Sequence, residues 1–235
     1  MDKSDQNANR REKLAKRRTI LEVRFPDTPD FAALAHEWLV DGVDQMLGFV
    51  WRAYDRLVAD ILSHISLTDA DKDLERAITM TLVPRIRDEM SGDETYHVEH
   101  EWYEHETMLD PPARPRQYDI CFVWRECPRI MWPLEAKVLP TDESVDAYVS
   151  EIRDNFLTCH YAPFTGEGGM LGYLVTGDPE EAFNNIAKKV PCKLKKHPNF
   201  PTRDHRTSEH SRKVPRGKPY PRDFRCHHML LRLAN

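Results

Sequence analysis

The chain has 235 residues and 27.5 kDa, is 40% hydrophobic and 31% charged, and carries 17 Pro against 9 Gly, a composition that fills a core and excludes global disorder. A mean hydropathy of −0.67 and no apolar run approaching about 18 residues exclude a membrane-spanning helix. The net charge of −5 hides a division: residues 185–235 hold 14 Lys and Arg against 3 Asp and Glu, the rest 20 against 36, and an acidic body with one basic end suits a polyanion better than a membrane.

Residues 1–27 are polar, basic and aperiodic, and are expected to form a mobile arm. They contain no apolar h-region, which predicts no secretory signal. The five cysteines form no C-x-x-C pair, so free thiols in a reducing cytoplasm are expected. Thr28-Pro29-Asp30 opens a helical segment, expected over 28–66, with Thr28 as N-cap and Pro29 at the first helical position. Phe31, Leu34, Trp38, Leu39, Met46, Val50, Tyr54, Leu57, Ile61 and Ile65 follow at helical spacing, interrupted at Gly42 or Gly48. Their apolar stripe is a core face, with a homodimer or partner surface near residues 30–65 as the alternative. A second helix begins near Thr68-Asp69, carries Leu74, Ile78, Leu82 and Ile86, and is kinked at Pro84.

The period then changes to that of strands. Tyr96–Glu106 and Tyr118–Trp124 are followed by a turn and by Ile130–Val138, which makes a hairpin of the last two. A helix is expected from about Ser144 to Thr158, with Val145, Tyr148, Val149, Ile152 and Phe156 on one face. Gly166-Glu167-Gly168-Gly169 reads as a tight turn into a buried strand, Met170–Thr176. Asp178-Pro179-Glu180-Glu181 starts another helix. A Pro-rich basic loop of some 30 residues then leads to a last strand, Phe224–Leu233. The order predicts an α/β or α+β fold, a mixed central sheet flanked by helices, with residues 67–235 as its main domain.

Chemistry concentrates on the hairpin. Glu135 and Lys137 stand two apart on one strand, so both emerge on one face, and a hairpin brings Asp119 alongside Glu135. Two carboxylates with carbonyls and water are what Mg²⁺ takes as ligands. A lysine crowded by such an ion has its pKa lowered, which helps it accept a proton from an attacking water or orient it.

Gln117-Tyr118-Asp119-Ile120 and Trp132-Pro133-Leu134-Glu135-Ala136-Lys137, with the helix before and the helix and strand after, resemble the PD-(D/E)xK nuclease superfamily across residues 68–176. Tyr118 stands where that family's proline is found, and Pro133 inside the strand implies a bulge or an unpaired side. The resemblance implies a restriction-endonuclease-like core with an added N-terminal helical segment. It further implies Mg²⁺, or Mn²⁺ in its place, on Asp119 and Glu135, with Lys137 assisting the water that hydrolyses a phosphodiester. A glutamate of the preceding helix joins such sites, for which Glu75 is the first candidate and Glu89 the second. The basic residue on the following helix is Arg153, expected at the substrate phosphate.

Nucleic acid, DNA first, is the partner expected of the basic third, through Lys193, Lys195, Lys196, His210, Arg212 and Lys213. Restriction, anti-phage defence and repair are the settings such nucleases imply; a silent nuclease-like scaffold that binds nucleic acid is the alternative. The acidic and histidine-rich stretch of His97, His100 and His105 does not read as a zinc site, because alternation puts His100 on the other face. His205 and His210 lack a third ligand, and His227 and His228 point to opposite faces as structural groups.

Overall fold

A computed structural model describes residues 29–40, 42–60, 71–104, 106–107, 115–190 and 192–233. The basic arm, the Thr28 cap, the Thr68-Asp69 helix start and His105 lie outside them. Among the described residues three helices come first: α1 (Pro29–Val40), α2 (Val43–Asp60) and α3 (Asp71–Glu89). The expected helix does break, at Gly42, whereas Gly48 lies inside α2. Pro84 is accommodated within α3.

Among the described residues seven strands form one mixed sheet: β1 (Tyr96–Glu104), β2 (Arg116–Trp124), β3 (Met131–Leu139), β4 (Glu167–Leu174), β5 (Lys195–Lys196), β6 (His205–Ser211) and β7 (Asp223–Arg232). Their order is β1-β2-β3-β4-β7-β6-β5. The β3–β4 and β4–β7 pairs are parallel and the rest antiparallel. This is a mixed α+β architecture. Between β3 and β4 run α4 (Asp146–Glu151) and a π-helical turn (Ile152–Phe156); α5 (Pro179–Lys189) follows β4. The Asp178 side chain caps α5 by accepting from the Glu180 and Glu181 N–H groups.

Two stretches depart from the sequence reading. The expected basic loop contains β5 and β6, and the latter pairs along its whole length with β7. Its polar, alternating composition hid it, since only His205 and Ser208 are buried along it. Glu167, Gly168 and Gly169 belong to β4 rather than to a turn. A Cβ on Gly168 would stand 2.7 Å from Phe156, and one on Gly169 2.6 Å from Leu134, so these glycines serve close packing between strand and neighbour.

Strand alternation divides the core between the sheet's two faces. Ile120, Phe122, Trp132, Leu134, Ala136, Leu171, Tyr173, Met229 and Leu231 pack against Met46, Val50 and Leu57 of α2 and Leu74, Ile78 and Leu82 of α3. Cys121, Met131, Met170, Cys226 and Leu230 pack against Tyr148, Val149, Ile152, Phe156, Phe183 and Ile186 on the other side. Most of the α1–α2 stripe is therefore buried inside its own chain, while Leu34 of α1 is exposed. All five cysteines are free. Among the described residues no helix is long and apolar enough to cross a membrane.

Candidate active site at a fork in the sheet

The β2–β3 ladder runs only from Val123↔Met131 to Ile120↔Leu134. One step further the register would set Asp119 opposite Glu135, and there the strands part: β2 continues on β1 and β3 on β4. Pro133 needs no bulge, because the register against β2 stays constant through it and the β4 ladder begins only at Leu134.

Side chains occupy the fork and replace the missing strand. The Ala136 N–H donates to Asp119 Oδ2 at 2.7 Å, and the Val138 N–H to Glu75 Oε2 at 3.3 Å. The Ala136 carbonyl accepts from Lys137 Nζ at 2.6 Å. Backbone groups that β2 would otherwise satisfy are thus paired by the charged residues themselves. Glu75 is set in place from α3, where the Thr79 hydroxyl donates to the Glu75 carbonyl and meets the Tyr173 hydroxyl of β4 at 2.9 Å.

Four carboxylates surround Lys137. Its Nζ lies 3.3 Å from Glu135, 3.4 Å from Glu75, 3.8 Å from Glu151 and 4.0 Å from Asp119. Asp119, Glu135, Lys137 and Glu75 therefore come together as the sequence suggested. Glu89 does not: it binds Arg52 and Arg56 of α2. Glu151 was missed, because the helix that carries it was read for its apolar face and for a basic residue, not for an acid. It lies within the span of that face, three residues after Tyr148, and that offset was the available signal. Asn155 donates to Glu151 and in turn accepts from Arg116, so a second cation is linked to the cluster through an amide.

The charges are out of balance. Burial, then the charges of Asp119 and Glu151, hold the Glu135 carboxyl well above the usual carboxylate range despite Lys137. Burial also raises Glu75, with Lys137 opposing and Asp119 adding to the shift. Burial pulls the Lys137 ammonium down, but the four carboxylates outweigh it and hold it above its ordinary value. These carboxylates act against the lowering expected of a lysine beside an ion. Glu135 Oε2 is buried with no hydrogen-bond partner. All-oxygen donors, excess negative charge and an unspent buried lone pair suit a hard divalent cation.

The basic residues are scattered. Arg153 and Lys213 are exposed and border a cavity of about 340 Å³ with Asp154, Leu157, Thr158 and Ser211. Lys193, Lys195 and Lys196 are exposed, the last two on edge strand β5. His210 is half-buried and bonded to Ser208. Arg212 cannot serve a phosphate as expected. It is 3% exposed, and its guanidinium donates to the Ala162 and Thr165 carbonyls and to Cys159 Sγ. Comparisons with family models, curated proteins and solved structures find no match for the chain.

Proposed function

We propose that the protein is a Mg²⁺-dependent nuclease of the PD-(D/E)xK, restriction-endonuclease-like kind, with DNA as its first substrate. One observation supports this reading above the others: Asp119, Glu135, Glu75 and Glu151 converge on Lys137 at a fork in the sheet, with a buried Glu135 oxygen unpaired. Asp119 and Glu135, with Glu75 and Glu151 beside them, would hold the ion, and Mn²⁺ suits the same oxygens. Bound there, the ion would neutralise phosphate charge and acidify water.

Lys137 acts as a hydrogen-bond donor while the carboxylates keep it protonated, orienting the attacking water and steadying charge on the phosphate. It becomes a base only as far as bound positive charge offsets those carboxylates. Arg116 is a cation linked to the cluster through Asn155 and Glu151. Lys195 and Lys196 lie on the sheet edge four strand spacings from β3, roughly 20 Å away, a span that a duplex backbone could bridge.

The test is cleavage of supercoiled plasmid and of single-stranded DNA with Mg²⁺ or Mn²⁺. Wild type is compared with Glu135→Gln and Lys137→Ala, with folding followed by circular dichroism. Metal-dependent cleavage falling by roughly 10²–10³ in both variants is expected. Cleavage that survives both substitutions would place the chemistry elsewhere. Salt-sensitive DNA binding without cleavage in any metal would favour the scaffold reading instead.

A further inference from the structure

The sheet carries a second cluster of ligand-type side chains, beginning two strands over from the fork and made of nitrogen donors. His197 precedes β6, His205 opens it and His227 lies on the neighbouring β7; all three are buried. One ring nitrogen from each lies within 4.8 Å of the others. His205 Nε2 and His227 Nδ1 are 3.3 Å apart, about the separation of two nitrogens on one tetrahedral ion whose Zn–N bonds are about 2.0–2.1 Å. We propose that His197, His205 and His227 bind one Zn²⁺ ion, as a site separate from the carboxylate cluster.

The surroundings have the form of a metal site's outer shell. His227 Nε2 faces Glu167 Oε2 at 3.2 Å, and His197 Nε2 faces Asp44 Oδ1 at 3.4 Å. A carboxylate behind a ligating imidazole fixes its tautomer and raises its basicity. The loop is closed without an ion, since the His197 N–H donates to the His205 carbonyl at 3.1 Å and the two rings stack at 4.5 Å. Two ligands are thus preset, and β7 supplies the third. A cavity of about 300 Å³ reaches His197 past Asp44 and Asn199, giving an entry path.

Two contacts oppose the ion. The Asn199 N–H donates at 3.3 Å to His197 Nδ1, the nitrogen left for coordination while Nε2 faces Asp44. The Trp51 N–H donates to His205 Nδ1 at 3.3 Å. In the ion-free chain His205 therefore carries its proton on Nε2, directed at His227 Nδ1. Coordination through Nε2 moves that proton to Nδ1 and displaces the Trp51 N–H. Trp51 is thus a brake on zinc binding, a role that no purely structural histidine cluster gives it.

The experiment uses the full chain, prepared without a metal-affinity tag and stripped by chelator. Zn²⁺ is titrated against a chromophoric competitor, and Co²⁺ serves as a spectroscopic probe. One equivalent of Zn²⁺ and visible bands of tetrahedral Co²⁺ are expected in wild type and in Glu135→Gln, and are lost in His205→Ala. Trp51→Phe is expected to bind roughly two- to tenfold tighter, the worth of one neutral hydrogen bond. If His205→Ala does not fold, Trp51→Phe and Glu135→Gln still decide. The proposal is overturned by failure of folded wild type to bind Zn²⁺ at micromolar concentration. Binding that Glu135→Gln abolishes would overturn it, as would binding unchanged by both Trp51→Phe and a folded His205→Ala.

Discussion

The Ala136 N–H donates to Asp119 and the Val138 N–H to Glu75, so each of these carboxylates stands in for a β2 carbonyl. Glu135 has no such backbone duty, and its ionised form is opposed by burial and by Asp119. The substitutions should therefore separate in sign. Asp119→Ala, and to a lesser degree Glu75→Ala across the longer bond, is expected to lose about 1–3 kcal/mol by orphaning a buried N–H. Glu135→Gln is expected to gain stability at neutral pH in the absence of divalent ions. Thermal melts in chelator measure this, at about 2–4 °C per kcal/mol for a chain of this size; Mg²⁺ should then raise the Tm of wild type and not that of Glu135→Gln. Destabilisation by Glu135→Gln in chelator would contradict the charge argument. At this scale Asp119, Glu135 and Lys137 were legible because alternation on a strand sets faces unambiguously. Arg212 was not, because basic composition does not tell a solvated guanidinium from one surrounded by carbonyls.

Elements were legible where periodicity was strong and not where function or packing overrode composition. The α2, α3, β2 and β3 stripes follow apolar spacing, whereas β6 is a polar strand and β4 is rich in glycine, a residue that strands disfavour. Gly168 is the informative position. Its missing side chain makes room for Phe156 at the end of the π-helical turn, directly beyond Glu151. Single π turns recur at functional sites, and here the turn joins the buried Phe156 anchor to the helix that carries Glu151. Gly168→Ala would push on that anchor. An expected loss of about 1–3 kcal/mol should show as a lower Tm, with Glu151 displaced relative to Lys137. An unchanged Tm would show that Phe156 yields freely and that the close approach is dispensable.

Across the whole molecule, buried titratable groups set a definite pH response. Burial pushes Glu104 up to about 7, and Glu75 and Glu135 are also raised. The folded state then binds more protons than the unfolded, so stability falls as pH rises from about 4.5 through these raised values. Buried His197, His205 and His228 are lowered, each first by burial. There the unfolded state binds more protons, and stability is lost as pH drops below about 6.5. The two slopes oppose each other between about pH 4.5 and 6.5, where the ion-free chain is expected to be most stable. Melts across pH in chelator would refute this by showing Tm climbing from about pH 6.5 to 8, where the raised carboxyls titrate in the folded chain. The fork gives the same charges a protective role. From Glu135 onward β3 is an edge inside the sheet, and an uncovered edge is a template for foreign strands. Asp119, Glu75 and Lys137 occupy its hydrogen-bonding groups and line the gap with charge, so the side chains assembled for chemistry also guard the chain against strand addition and aggregation.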